Sequence, residues 1–257
     1  LSPENRNKEI SRRHAIGILA VTGAGAMLSC GGGSKTAAAT TTTTTTATST
    51  SNTSCTVTPE GEEGPYFVDD SATGFNRSDI RSNLDGSNTQ SGIPLTLNIY
   101  VYDSEKSCAA MANVQIDIWH CNGSGVYSAE DVESTTGETW LRGYQLTDAN
   151  GLASFVTIMP GWYQGRTTHI HLRLRSTYDS TSTGETNTTQ LFFPQDTINT
   201  INTTISPYSA EGTNPTTNAS DHVYSGETNG ANVLTLNGDT TSGYTATCKV
   251  NLPITAL

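Results

Sequence analysis

Cations are scarce in this chain. Against 24 Asp and Glu stand only 13 Lys and Arg, for a formal net charge of −11. No basic face can therefore be assembled to neutralise phosphates, which excludes nucleic acid as a partner. There is no C-x-x-C pair, which removes the commonest structural zinc sites. The apolar stretch at residues 15–29 is rich in Ala and Gly and too short to span a bilayer. Helical periodicity is missing as well: no convincing long run places apolar residues at every third or fourth position, and no internal repeat is visible.

What is present at the start is an address. Arg6, Lys8, Arg12 and Arg13 precede the 15–29 stretch, as a charged region precedes the apolar region of an export signal, here assigned to residues 1–29. Ser11-Arg12-Arg13 resembles a twin-arginine signal, the route for proteins exported already folded, which suits an enzyme that takes up a metal before leaving the cytoplasm. Met27-Leu28-Ser29-Cys30 reads as a lipoprotein processing site, with Ala24-Gly25-Ala26 as the alternative cleavage point. In the first case an acylated Cys30 tethers the chain to a membrane. The expected location is outside a bacterial cytoplasm, as a cell-envelope lipoprotein or a secreted protein. Nothing in the pattern specifies an oligomeric state.

Residues 30–54 are expected to form a disordered linker, since residues 36–54 are almost entirely Thr, Ala and Ser and hold too little apolar surface to offset the entropy of ordering. Residues 55–257 then form one catalytic domain. If Cys30 carries lipid, Cys55, Cys108, Cys121 and Cys248 remain. An even set in an exported domain points to disulfides, with three connectivities open.

Within that domain the hydrophobic period is two. Leu95-Thr96-Leu97-Asn98-Ile99-Tyr100-Val101 and Val114-Gln115-Ile116-Asp117-Ile118-Trp119 alternate as half-buried strands do. Residues 144–158 place Asp148, Asn150 and Gly151 between two strand-like runs, as in a hairpin. Further strands are expected at 169–175, 189–193, 232–236 and 244–252. About eight short strands with Gly-rich turns predict an all-β fold, an antiparallel β-sandwich. Residues 196–230, rich in Asn, Thr, Ser and Gly, are expected to form a long ordered loop.

His169-Ile170-His171 is the most informative tripeptide, because side chains at i and i+2 of a strand share a face and two imidazoles there can converge on one metal. Just upstream, Pro160-Gly161-Trp162-Tyr163-Gln164-Gly165-Arg166 delivers a Tyr and an Arg in a turn. Earlier, Trp119-His120 runs through a Gly-rich loop to Tyr127-Ser128. Phenolate is a hard anionic donor that favours Fe(III), and imidazole serves most first-row metals, so two of each select ferric iron over zinc.

Together these segments resemble the intradiol ring-cleavage dioxygenases, the family of the catechol and protocatechuate dioxygenases. The resemblance runs from Glu63-Gly64-Pro65-Tyr66-Phe67 through Trp119-His120, Tyr127-Ser128, Leu141-Arg142-Gly143 and Thr147-Asp148 to Pro160-Gly161 and His171. It implies the β-sandwich of that family and one non-haem Fe(III) per chain on Tyr127, Tyr163, His169 and His171. It also implies a catechol-type substrate and O₂ as co-substrate, with ring opening between the hydroxyl-bearing carbons to a muconate-type dicarboxylate. By motif position Tyr163 is the ligand that yields to substrate, Arg166 the active-site arginine and Gln190 the active-site glutamine. The interval before Gln190 is lengthened by Ser/Thr-rich sequence at residues 179–188. His120 falls on a position the family does not use on iron and is expected to be a buried, hydrogen-bonded histidine. His222 lies in the long loop without a nameable partner.

The long helical N-terminal region by which the catechol and hydroxyquinol branches dimerise has no counterpart in the pattern, and no basic residue is assignable to a protocatechuate carboxylate. Two other classes compete. An extracellular β-sandwich binding module needs no Tyr/Tyr/His/His set with an arginine beside it, and a zinc hydrolase leaves both tyrosines unexplained.

Overall fold

The computed structural model describes residues 55–69, 74–175 and 186–253. The expected export signal at 1–29 and linker at 30–54 lie outside the described residues, as does most of the Ser/Thr-rich interval before Gln190.

Among the described residues, nine strands build two open sheets. One holds β1 (Pro94–Asp103), the two-residue β2 (Ala109–Ala110), β5 (Leu152–Ile158), β8 (Thr235–Asp239) and β9 (Gly243–Leu252). The other runs in the order β4 (Arg142–Leu146), β3 (Gln115–Trp119), β6 (His169–Arg175), β7 (Thr186–Phe192). Period-two burial along β1 sends Leu95, Leu97, Ile99 and Val101 inward. They join Ile116 and Ile118 of β3, Ile170, Leu172 and Leu174 of β6, and Ala246, Val250 and Leu252 of β9 in one apolar cluster that ties the two sheets together.

The all-β, antiparallel expectation is corrected on two points. First, β1 pairs with β9 in parallel, from Leu95 opposite Tyr244 to Asp103 opposite Leu252, so the larger sheet is mixed. Alternation of apolar residues sets which face is buried but carries no information on strand direction. Second, the segment expected as a long loop opens with α1 (Gln195–Thr204) and continues through short helical turns at Tyr208–Glu211, Asn218–Ser220 and Val223–Glu227. The fold therefore mixes helix with strand. Thr and Asn dominate α1 and are indifferent helix formers. Pro194 precedes its first turn, Asp196 faces the positive helix end, and Ile198 and Ile201 are buried in the main cluster. Thr200 and Thr204 hydroxyls turn back onto the carbonyls of Asp196 and Thr200, so polar side chains that read as loop composition are satisfied inside a helix.

Of the cysteines left open by the sequence, Cys55 and Cys108 form a disulfide, and Cys121 and Cys248 are free and buried.

The second sheet has two working faces. While Ile116, Ile118, Ile170, Leu172 and Leu174 enter the core, the alternate residues Gln115, Asp117 and Trp119 of β3 sit opposite Arg175, Arg173 and His171 of β6. This second face is also shielded from solvent, which is why β3 lacks an exposed edge in its burial pattern. Arg175 is held there by a two-pronged ion pair with Asp117 at 3.1 and 3.0 Å.

Candidate metal centre

The start of β6 carries His169 and His171 on that polar face, and their Nε2 atoms lie 3.1 Å apart. His169 Nδ1 donates to the Thr167 carbonyl at 2.6 Å, which fixes the tautomer and leaves the Nε2 lone pair facing His171. Burial is the main cause that holds His169 neutral down to about 3 and pushes His171 well below the ordinary histidine value. Neutral imidazole is the form that can ligate a metal. Trp119, directly opposite on β3, stacks on His171 with ring centroids 4.9 Å apart and fixes the plane of that ring.

Two loops bring phenols to the same point. Tyr163 Oη lies 3.4 Å from His169 Nε2. Tyr127 meets Tyr163 at 5.7 Å between centroids and His171 at 6.1 Å, and its buried hydroxyl has no hydrogen-bond partner among the described residues. The Tyr127 loop and the Tyr163 loop are joined backbone to backbone, with Gly161 N–H donating to Asn122 O at 3.0 Å. At Gly125, where φ is +81°, a Cβ would fall 2.2 Å from the Trp162 carbonyl, so only glycine permits this approach. Gly64 performs the same service above the imidazoles: its missing Cβ would lie 3.0 Å from His171 Cε1.

The Glu63-to-Phe67 segment thus covers the centre, and Tyr66 stacks on Tyr127. Arg142 secures it by donating from Nη1 to Tyr66 O at 2.6 Å and from Nε and Nη2 to Ser128 Oγ and O at 2.9 and 2.7 Å. The role of Arg142 as a clamp between the two segments was not readable from its motif, because its partners lie 14 and 76 residues away.

Burial pushes both phenols well above the ordinary tyrosine value, and at Tyr163 the neighbouring Arg166 opposes the rise. Two imidazole Nε2 atoms 3.1 Å apart, a buried phenol hydroxyl with no hydrogen-bond partner among the described residues and a second phenol at 3.4 Å form a donor set that a small trivalent cation fits. It would take a lone pair from each imidazole and stabilise both phenolates.

Arg166 is nearly buried. Its Nε donates to Asp221 Oδ2 at 2.9 Å and its Nη2 to Gln190 Oε1. Gln190, which stands opposite His171 in the β6–β7 register, donates from Nε2 to the Glu62 carbonyl at 3.0 Å. Arg166 and Gln190 are therefore brought together beside the four candidate ligands. Asp221 was missed by sequence reasoning, since an aspartate in an Asn/Thr/Ser-rich stretch gives no signal of its own. Burial opposes its ionisation, but Arg166 and backbone amides outweigh that and hold its carboxyl below the usual range.

His120 points away from the centre's chemistry. Both its nitrogens are engaged, with Cys121 O at 2.8 Å and Thr157 Oγ1 at 2.7 Å. His222 does have a partner, Glu62 Oε1 at 3.0 Å. With Glu227 these two form an exposed group whose ligand atoms lie within 4.8 Å of one another and could hold a metal ion. It contains no phenol and stands in solvent, so it lacks the preference for Fe(III) that the buried set has.

A cavity of about 370 Å³ reaches Tyr163 and is bordered by Val126, Trp162 and Gln164, with Glu133 and Glu211 at its margin. Among the described residues, no Lys or Arg lines it.

Comparison with known proteins locates the same region. A family model described as Dioxygenase matches residues 62–210. A catechol 1,2-dioxygenase of Acinetobacter baylyi is 32% identical over 107 residues, 42% of this chain and 32% of that protein. The match thus spans about a third of that relative's length. An intradiol ring-cleavage dioxygenase from Tetranychus urticae has a similar structure, with TM-score 0.65 and 26% identity over 78% of this chain and 96% of that one. So does the dioxygenase domain of a dioxygenase and carbohydrate-binding protein fusion from Streptomyces sp. SirexAA-E, with TM-score 0.54 and 27% identity over 77% of this chain and 99% of that one.

Proposed function

Since the chain belongs to the intradiol ring-cleavage dioxygenase family and is an enzyme of that class, we propose that Tyr127, Tyr163, His169 and His171 hold one non-haem Fe(III) on which a catechol-type ring is opened by O₂. Both oxygen atoms enter the product, and the bond between the two hydroxyl-bearing carbons is cleaved, giving a muconate-type dicarboxylate. The observation that carries this reading is the convergence of His169 Nε2, His171 Nε2 and Tyr163 Oη beside the unpartnered hydroxyl of Tyr127.

Ferric iron bound there supplies Lewis acidity toward the two catechol oxygens and draws electron density from the ring. The protein's own groups do the rest. Tyr127 is almost fully buried beneath Tyr66, whereas Tyr163 borders the cavity, so of the two phenols that would hold the iron Tyr163 is the one placed to meet substrate and take up its proton. A phenol oxygen facing a bound catechol is a competent general base. His169 and His171 stay neutral and fixed in orientation. Arg166 supplies a permanent positive charge toward the oxygen and ring carbon where negative charge develops, and Gln190 holds one of its nitrogens.

The cavity margin, with Glu133 and Glu211 and no cation, supports uncharged catechols as substrates over carboxylated ones. Export belongs to the same proposal. It rests on residues 1–29, with Cys30 as a lipid site or cleavage at Ala24-Gly25-Ala26 to a secreted form, and the Cys55–Cys108 disulfide suits an oxidising compartment.

Purified protein should contain about one iron per chain and be coloured by tyrosinate-to-iron charge transfer. Tyr163→Phe should bleach or shift that band and impair turnover of catechol measured as O₂ uptake. A colourless, iron-free protein after expression with added iron would rule the reading out.

A further inference from the structure

The carboxylate of Asp221 is a buried charged group beside the candidate centre that the chemistry above leaves unused. It is fully shielded from solvent and accepts five hydrogen bonds. Oδ2 receives Arg166 Nε and Thr167 N–H, both at 2.9 Å, and Oδ1 receives Val223 N–H and Tyr224 N–H at 3.0 Å and Arg166 Nη2 at 3.4 Å. A guanidinium is a rigid plane of five donors, so fixing one edge fixes the other. Asp221 takes the Nε and Nη2 edge, Gln190 takes a further Nη2 contact, and among the described residues Nη1 has only Glu62 Oε1 at 3.8 Å, beyond hydrogen-bond length.

The same carboxylate also pins the backbone that leads into the centre. Thr167, whose N–H it accepts, is the residue whose carbonyl fixes the His169 tautomer. One side chain from the 218–228 segment therefore sets both the plane of Arg166 and the entry to β6.

We propose that Asp221 is a positioning residue for ring cleavage, holding Arg166 so that its Nη1 edge meets the charge developing on the substrate; this rests on the role given to Arg166 above. Asp221 touches no reacting atom in this scheme and acts only through Arg166.

The test is a double-mutant cycle on the iron-loaded enzyme, with kcat, KM, iron content, the visible band and Tm read for Asp221→Asn, Arg166→Ala and the pair. Asp221→Asn should keep its iron and its band while kcat falls about 10- to 100-fold, with a smaller change in KM. In the Arg166→Ala background the same change should cost no more than about two-fold further in kcat. It should also raise Tm there, because it removes a buried carboxylate left without its cation. An equal loss of kcat in both backgrounds would reduce Asp221 to a structural residue, and wild-type kcat in Asp221→Asn would dismiss it altogether. Wild-type kcat in Arg166→Ala would instead remove the role of Arg166 itself. If Asp221→Asn does not fold, Asp221→Glu, which keeps the charge, takes its place in the cycle and should retain more kcat than any neutral variant. Failure of both to fold would assign Asp221 to the stability of the 218–228 segment and overturn the proposal.

Discussion

Tyr66 lies face to face with Tyr127, their ring centroids 4.2 Å apart and their planes 18° from parallel. One belongs to the segment over the centre and the other is a proposed iron ligand, so the first ring covers a face of the second.

Removing the covering ring should therefore be visible in colour before it is visible in folding. Tyr66→Ala should keep iron, shift the tyrosinate band and cost about 1 kcal/mol of stability from the lost stacking. Tyr66→Phe should leave both nearly unchanged. An unshifted band in Tyr66→Ala, read by absorption spectroscopy, would show that the ring does not control the ligand's surroundings.

His120 makes acid stability measurable. Burial is the main reason it holds a proton only below about 4 when folded, whereas histidine in an unfolded chain does so below about 6.5. Between those values the unfolded chain binds more protons, so stability should fall as pH drops from about 6.5 toward 4 and be level in this respect above 6.5. His120→Gln should flatten part of that slope and cost about 1–3 kcal/mol at pH 7 through its lost hydrogen bonds. Iron content should be unchanged, since His120 is satisfied by Cys121 and Thr157. Urea titrations across that pH range, with iron analysis, decide both points.

Charge at the cavity margin should set substrate preference. Glu133→Gln combined with Glu211→Gln should lower KM for protocatechuate about 3- to 10-fold at low ionic strength and leave KM for catechol alone. The gain should shrink in high salt. Equal effects on both substrates would place these carboxylates outside the binding path.

The Cys55–Cys108 bridge closes a loop with a sequence separation of 53. Cys55→Ser should lower stability by about 2–4 kcal/mol and Tm by about 10 °C without changing iron content. A reductant should reproduce the shift in the unmutated protein and have no effect on the variant.

The parts of this structure that were legible are those written in short stretches. Alternation placed β1 and β3, β6 was among the further expected strands, and the i, i+2 spacing of His169 and His171 put them on one face, as the structure shows by bringing their nitrogens to 3.1 Å. Tyr127 and Tyr163 reach the same point through Gly-rich loops whose approach depends on Gly125. What was not legible depends on distant partners. The parallel pairing of β1 with β9 joins residues far apart in sequence, and no local pattern states strand direction. Helix α1 hides in Thr and Asn whose propensity argues for loop, and it is stabilised by burying Ile198 and Ile201. Asp221 acquires meaning only when folding sets it against Arg166.

Strand β6 spends its even positions, Ile170, Leu172 and Leu174, on the core and its odd ones, His169, His171, Arg173 and Arg175, on the opposite face. That division makes the strand intolerant of length change in a way that substitution tables do not capture. Deleting or inserting a single residue near its start would exchange the two faces for the rest of the strand, turning guanidiniums into the apolar interior and branched aliphatics onto the polar face. Stability and chemistry would be lost in one step, so this short stretch can be varied by replacement but not by indels.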